Sequence, residues 1–500
     1  MPLVDSAREG FFSRCLEVGA RILQFEDPVI AHHYDADGLA SGSIVCRAFQ
    51  IRKKKYEERT FRKIDGDAID ELAKTEKNIV FVDFGSGMSK KITEKIPVGK
   101  IAIIDHHQPD SPPEERKNLC EANCELFGLS GSDEASAAST AYFCFRDLND
   151  CLINELAVVG YVGDMQDKGK LSPSNRQVVD EGSKAGFVRV EKDLRMFGRV
   201  SRTLTGFISY CAEPFLPGLS GNEKACALFL HDLGIPLFVE EKTGNDLDLA
   251  KTTEPGDAAN RKIWLHYYDL GLEDRKKIAS ALIEYCYSHG VEEYAIKQLV
   301  GDVFLFPKEP FNTELFDAYE HSTMLNACGR HRQERLGVSV CLREEGSLLA
   351  ARPLITLHRT QIRSGLLYAR HHVSDFGAFY FLDGRGHIED SVIGVVCGSF
   401  LASGLFKPDK PVIGFSLDEN GDIKVSGRAT EALVAKGMNL GDVMREATAG
   451  IGYGGGHAIA AGAAIFKASL PEGEKRFLVR AKEVIEGPVS RMRQGPNRSE

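Results

Sequence analysis

Nowhere in the 500 residues do the ~18 uninterrupted apolar residues of a membrane-spanning helix occur together, so no passage through a bilayer is expected. The first fifteen residues, MPLVDSAREGFFSRC, lack a basic segment leading into an apolar block, which argues against secretion and for a cytoplasmic protein. Paired cysteines are missing too. The twelve are scattered singly from Cys15 to Cys397, and the one close pair, Cys120 and Cys124, has neither a second pair nor a nearby histidine to complete a zinc site. Reduced, mostly buried thiols are expected rather than a disulfide framework. Positive charge is also short. With 62 Lys+Arg against 72 Asp+Glu the net charge is −10, which disfavours coating duplex DNA by bulk electrostatics, leaves room for a local basic groove, and suits a site built from carboxylates.

What is present is an ordinary globular balance, 43% hydrophobic and 27% charged, and a length that predicts about two to four domains. Up to about residue 185, short apolar runs alternate with amphipathic stretches, the pattern of βα units around a mostly parallel sheet. Strands are expected at Pro28–His32, Asn78–Asp83 and Lys100–Asp105. Helices are expected at Gly38–Lys53, Ala135–Asp147 and Ile153–Val162. Each strand candidate is rich in Val and Ile, and each runs into acidic or histidine residues: HHYDADG after the first, DFGSG at the end of the second, DHHQPD at the end of the third. Open parallel sheets bind ligands outside the carboxyl ends of their strands, so one crevice could collect all of these groups.

Singly, these residues have bland readings. Asp35 or Asp37 after a strand is often a helix N-cap, and Asp164 in GDMQD, after a helix-like run, could be another cap. Asp105, His106 and His107 are harder to dismiss, because an ionised carboxylate and two imidazoles directly after an Ile-rich strand are costly to place unless something compensates them. The joint occurrence of His33, Asp35, Asp37, Asp83, His106 and Asp164 at one edge of one sheet points to a metal site. Imidazole and carboxylate donors without thiolates suit Mn²⁺ first and Mg²⁺ second. Far along the chain, Gly454, Gly455 and Gly456 would let the backbone approach an anionic oxygen, and His457 could donate from its ring. Arg428, at the end of an expected strand Asp422–Gly427, could bind phosphate bidentately.

These motifs resemble the DHH phosphoesterases: HYDADG at 33–38, VDFGSG at 82–87, DHH at 105–107 and GDMQD at 163–167, with GYGGGHAIAAGA at 452–463 and VSGRA at 425–429 similar to that family's C-terminal domain. The resemblance covers about residues 20–185 and 385–485, and the roughly 200 residues between fit no nameable pattern. It implies an α/β protein with three parts and a tail: a parallel-sheet catalytic domain over 1–185, an inserted mixed α/β middle region over 186–385, a smaller α/β substrate-binding domain over 386–488 facing the first across a cleft, and a flexible tail at 489–500. It also implies two ions, one held by His33, Asp35 and Asp83 and one by Asp37, Asp83, His106 and Asp164, with Asp83 bridging. His107 would contact the scissile phosphate or assist the leaving group, and Asp105 would orient a ligand histidine. Arg428, Gly455, Gly456 and His457 would grip substrate.

The length and the insertion look most like archaeal RecJ-like exonucleases on single-stranded DNA or RNA. Relatives of that kind associate with replication factors such as GINS or with a repair helicase. A nano-RNase or cyclic-dinucleotide phosphodiesterase and a replication-fork scaffold without activity are the alternatives. Compact members of the first kind are far shorter, and degenerate scaffolds lack ligand residues that are all present here. Pyrophosphatase relatives lack the GGGH element.

Elsewhere the signals are weaker. The apolar run Ser391–Phe406 contains Ser and Gly and suits a buried helix, Asp274–His289 suits a charged helix, and Gly337–Cys341 has the character of a buried strand. Arg52 to Lys55 would end a surface helix. Arg352, His358, Arg359, Arg363, Arg370, His371 and His372, interleaved with Tyr368, fit either a path for a polyanionic strand or a solvated face.

Overall fold

In the computed structural model, residues 2–211, 214–240, 262–403 and 407–487 are described. The tail expected at 489–500 and the last residues of the apolar run, 404–406, lie outside the described residues. The chain divides into two compact units, Met1–Ser201 with Gly301–Thr356 and Arg202–Val300 with Leu357–Glu500.

The first unit is built on five parallel strands, β1 (Val29–His33), β2 (Glu57–Phe61), β3 (Ile79–Val82), β4 (Ile101–Ile104) and β5 (Cys120–Ala122), in the order β2-β1-β3-β4-β5. The three central strands fall within a residue or two of the runs expected from sequence. They are apolar at nearly every position because both faces are covered, as parallel sheets require. The alternation of strand side chains divides them cleanly. Ile30, Val80, Val82, Ala102 and Ile104 join the core beneath helices Pro2–Ile22, Ala36–Ile51, Ala137–Phe145 and Cys151–Gly163. Val29, Ala31, Ile79, Phe81, Ile101 and Ile103 pack on the other side with Ile69, Leu72 and Ile92 from helices Gly66–Ala73 and Ser89–Lys95. Each large apolar side chain fully buried in this way contributes roughly 1.5–3 kcal/mol of transfer free energy. Parallel pairing in register, Val29 with Ile79 and Ile79 with Ile101, then sets the carboxyl ends of β1, β3 and β4 side by side.

Two expectations are corrected here. Gly337–Cys341 is the end of helix Glu334–Cys341 and not a strand. A short apolar run buried at every position has no period to read, and Gly337 closes against Leu39 and Cys328. Arg52–Lys55 does follow a helix, but Ala36–Ile51 is buried along most of its length, and Lys54 donates to the carbonyl of Leu23 at 2.8 Å. All twelve cysteines are free, and ten of them are buried.

Strand β6 (Arg189–Leu194) precedes the second unit's first segment. In that segment β7 (Phe238–Glu240) and β8 (Lys262–Trp264) pair antiparallel among helices Leu204–Ser209, Glu223–Asp232 and Leu272–Ser288. The chain then returns through β9 (Val300–Leu305), which pairs with β6. The second unit's sheet consists of β10 (Val373–Asp375), β11 (Tyr380–Asp383), β12 (Val412–Leu417), β13 (Ile423–Arg428), β14 (Gly452–Gly456) and β15 (Ala460–Ile465), in the order β10-β11-β12-β13-β15-β14. Helix Ile393–Ala402, within the expected apolar run, crosses between the parallel pair β11 and β12. Helices Leu440–Thr448 and Glu472–Glu486 contribute Val443, Met444, Phe477 and Ala481 to the core on the sheet's other face.

Candidate metal centre

Each strand end delivers its side chains through a distinct local device. His33 closes β1, and Asp35 then N-caps helix Ala36–Ile51, its Oδ1 accepting from Gly38 N at 3.0 Å. The capping and functional readings of Asp35 are therefore compatible, because its other oxygen, Oδ2, lies 3.1 Å from His33 Nδ1. The turn is tight enough that a Cβ on Gly38 would stand 2.5 Å from that of His33. Asp37, in the first helical turn, is buried and accepts from Ser136 Oγ at 2.8 Å and from the backbone N–H groups of Ala137 at 2.7 Å and Ala138 at 3.0 Å, at the N-terminus of helix Ala137–Phe145. Asp83 follows β3 with φ +65, a left-handed conformation unusual for a residue with a Cβ and one that clusters at functional sites. Asp164 is the C-cap of helix Cys151–Gly163.

The six residues converge on Asp83. Its Oδ2 lies 3.3 Å from His33 Nδ1, and its Oδ1 lies 3.3 Å from His106 Nε2. His106 Nε2 is in turn 3.4 Å from Asp164 Oδ2 and 3.9 Å from Asp37 Oδ2. Among the described residues, three overlapping groups could hold a cation: His33 with Asp35 and Asp83, Asp37 with His106 and Asp164, and Asp83 with His106 and His107.

The electrostatics show how badly the cluster needs positive charge. Burial opposes protonation of both His33 and His106, yet nearby carboxylates outweigh it and hold both imidazoles well above their usual range: Asp35 and Asp83 for His33, and Asp83, Asp164 and Asp37 for His106. Burial and the charge of Asp83 push Asp37 up to about 7, and burial and the charge of Asp37 raise Asp164 well above a normal carboxylate. Burial would raise Asp35 as well, but His33 and the Gly38 N–H hold it low. The buried atoms His33 Nδ1 and Asp83 Oδ1 face ionisable groups at 3.1–3.3 Å but make no hydrogen bond of good geometry. Cations would relieve both the crowded carboxylates and these orphaned atoms, so the residues present fit divalent metal ions.

Behind the cluster, the structure corrects one expected role. Asp105 does not hold the ring of His106. Its Oδ1 accepts from His107 Nδ1 at 2.8 Å and from the backbone N–H of His106 and His107 at 2.8 and 3.1 Å, while Oδ2 accepts from Ser86 N at 2.9 Å. Strong local donors hold its carboxyl low against the cost of burial. The ring of His106 is fixed by the Gly131 carbonyl, 2.8 Å from Nδ1, which also accepts from Gln166 Nε2 at 3.0 Å. A carbonyl only accepts, so Nδ1 carries the proton and Nε2 faces the carboxylates. Sequence reading missed Ser136, Gly131, Gln166 and also Asn326, whose Oδ1 accepts from Ala36 N at 3.1 Å. Ser136 carries an N-cap signal and Gln166 lies inside GDMQD, but nothing local marks Gly131 or Asn326.

In the second unit Arg428 ends β13, with Nη1 donating to the Gly427 carbonyl at 2.8 Å. Gly455 and Gly456 lie on β14, and the N–H of His457 bonds the Ala460 carbonyl at 2.9 Å. The basic run falls on a single helix, Ser347–His372, and several of its side chains have partners nearby. Arg352 pairs with Glu314 at 3.0 Å, Arg363 lies over Tyr210, Arg370 lies over Phe215, and His372 stacks on Tyr368.

Fold and site together define an α/β protein with a carboxylate–imidazole cluster at the carboxyl edge of a parallel sheet. The chain matches the DHH family N-terminal domain over residues 28–163, the DHH-CID domain over 196–300 and the DHHA1 domain over 385–487. It belongs to the DHH phosphoesterases and has a RecJ-like architecture, and the DHH-CID match falls in the stretch whose sequence fits no nameable pattern. An uncharacterized protein of Methanocaldococcus jannaschii is 29% identical over 468 residues, covering 91% of this chain and 92% of its own. CDC45 from Entamoeba histolytica has a similar fold, with TM-score 0.58 and 13% identity over 95% of this chain and 98% of that one. RecJ from Thermus thermophilus, solved with Mn²⁺, has TM-score 0.51 and 15% identity over 94% of this chain. The chain spans about half of that RecJ, 54% of its length.

Proposed function

We propose that this protein is a metal-dependent exonuclease that hydrolyses phosphodiester bonds of single-stranded DNA or RNA with two divalent ions. The observation that carries the proposal is the division of Asp83, one buried carboxylate with Oδ2 beside His33 and Oδ1 beside His106. His33, Asp35 and Asp83 would hold one ion, and Asp37, Asp83, His106 and Asp164 the other. The donor types favour Mn²⁺ over Mg²⁺. When bound, such ions supply positive charge at the phosphate and a water of lowered pKa.

The chain's own residues do the positioning. Gly131 turns Nε2 of His106 into the cluster, while Asp105 fixes Nδ1 of His107 and leaves Nε2 to meet a phosphate oxygen or protonate the leaving group. Residues 1–185 would form the catalytic part, 186–385 would shape a strand channel or dock a partner such as GINS or a helicase, and 386–488 would seat the strand end through Arg428, Gly455, Gly456 and His457. A scaffold without activity is the competing reading, and the complete set of six ligands speaks against it.

A time course with Mn²⁺ on single strands labelled at one end or the other tests the proposal. Progressive shortening is expected, and the label that vanishes first gives the polarity. Cleavage confined to dinucleotides would replace the exonuclease with a small-substrate phosphodiesterase, and no cleavage at all would leave the scaffold.

The division of labour between the units makes a second prediction. Losing a charge-assisted phosphate contact costs about 1.5–3 kcal/mol, so Arg428→Ala should raise KM roughly 10- to 150-fold without changing Mn²⁺ affinity. A Cβ on Gly394 would stand 2.7 Å from Nη2 of Arg428, so Gly394→Ala should displace the guanidinium and shift KM the same way by less. Steady-state kinetics beside an Mn²⁺ titration would show it. Metal loss matching the activity loss in Arg428→Ala would contradict the separation of roles.

A further inference from the structure

The two faces of β14 and β15 differ in what covers them. Gly454 faces helix Leu440–Thr448, where a Cβ would meet the Met444 carbonyl at 2.5 Å. Alternation then turns Tyr453 and Gly455 to the opposite face, together with their register partners Ala464 and Gly462 on β15 and, beyond those, Lys424 and Ser426 on β13. On this face Ser426 lies beneath helix Ile393–Ala402, where a Cβ on Gly394 would meet its Oγ at 3.3 Å, but the floor is open at the two glycines. A Cβ on Gly455 would meet nothing within 4 Å, and one on Gly462 would meet only the Val425 carbonyl, at 3.5 Å. At one end of the floor Tyr453 and Phe466 form an aromatic pair with ring centroids 5.9 Å apart, although they are 56% and 44% exposed. At the other end of the same face stands Arg428, in register with Ala460.

Two exposed aromatic rings in contact make a contiguous patch rather than scattered apolar residues, and this patch adjoins a glycine-floored strip whose Lys424 and Arg428 are both cationic. We infer that Tyr453 and Phe466 form a stacking platform for a nucleobase of the bound single strand, distinct from the phosphate contact of Arg428 and separated from it along the strand. The inference rests on the single-strand reading and deepens it. Four residues of β13 separate the rows of Arg428 and Lys424, about 13 Å at ~3.3 Å per residue. That distance spans roughly two to four nucleotides, at ~3.4 Å per stacked step and about twice that when extended. The platform therefore engages a base beyond a terminal dinucleotide and favours longer strands. Because every base has a π-face, it does so with little regard to sequence.

Binding measured without hydrolysis tests this. In chelator, the anisotropy of a labelled thymidine strand of about twelve nucleotides is followed with the unaltered chain, with a Tyr453→Ala/Phe466→Ala double variant and with Tyr453→Phe. The double variant should bind about 5- to 150-fold more weakly, the range expected for one lost stack, and Tyr453→Phe should bind within about twofold of the unaltered chain. A dinucleotide competitor should show the same inhibition constant with all three. An unchanged affinity in the double variant overturns the platform, as does an equal loss for dinucleotide and long strand, which would mean that the sheet itself had been damaged. If the unaltered chain shortens strands with Mn²⁺ while the double variant binds normally, the platform alone fails. If strands bind in the expected pattern but are never cut, the exonuclease reading alone fails.

Discussion

Asp83→Asn should abolish Mn²⁺-dependent hydrolysis, lowering kcat by about 10³-fold or more, and should reduce the bound Mn²⁺ from two ions to one or none. Of the proposed ligands, this carboxylate alone lies within 3.3 Å of an imidazole from each proposed donor set. Loss of its charge would unbalance both sets, and each metal contribution is worth several kcal/mol of transition-state stabilisation. The variant should still fold. Asp83 follows β3 in a left-handed conformation that asparagine accepts readily, and its backbone N–H keeps its bond to the Ile104 carbonyl at 2.9 Å. Calorimetric titration with Mn²⁺ beside a melting curve separates the outcomes. Two ions bound at undiminished affinity would remove Asp83 from the bridge, and lost melting cooperativity would show that the substitution had damaged the fold instead.

Much of this centre was legible in the sequence because a parallel sheet aligns the carboxyl ends of its strands. Strands buried on both faces read as Val and Ile runs, and the chemistry begins where each run stops, at His33, Asp83 and Asp105. What sequence could not supply is contact between distant segments. Ser136 and the start of helix Ala137–Phe145 hold Asp37 from a hundred residues away, and Asn326 reaches the turn after β1 from the first unit's second segment, Gly301–Thr356. The choice between strand and helix for Gly337–Cys341 was hidden for a different reason, since complete burial erases the periodicity that separates the two. The role expected of Asp105 was mistaken for a local reason. The carboxylate serves the ring of His107, with one oxygen shared among three donors, and leaves the ring of His106 to a carbonyl.

That arrangement leads to the other large effect. His107 is 40% exposed and its Nδ1 is committed to Asp105 at 2.8 Å, while the same nitrogen lies 3.9 Å from Asp83 Oδ1. His107 also belongs to one of the groups that could hold a cation, so its role has two candidate forms, ligand or substrate contact. The hydrogen bond excludes Nδ1, which donates its proton to a buried carboxylate and has no lone pair for a metal, so either role falls to Nε2. The role proposed for it is the acid or phosphate contact. His107→Ala is therefore expected to lower kcat by about 10²- to 10⁴-fold with both Mn²⁺ ions retained. Asp105→Asn, which keeps an acceptor but removes the charge that fixes the ring, should lower kcat by about 10- to 100-fold. The double variant should be little worse than His107→Ala alone, because Asp105 acts through that ring. Additive losses would separate the two residues, and loss of one Mn²⁺ from His107→Ala would make the histidine a ligand after all.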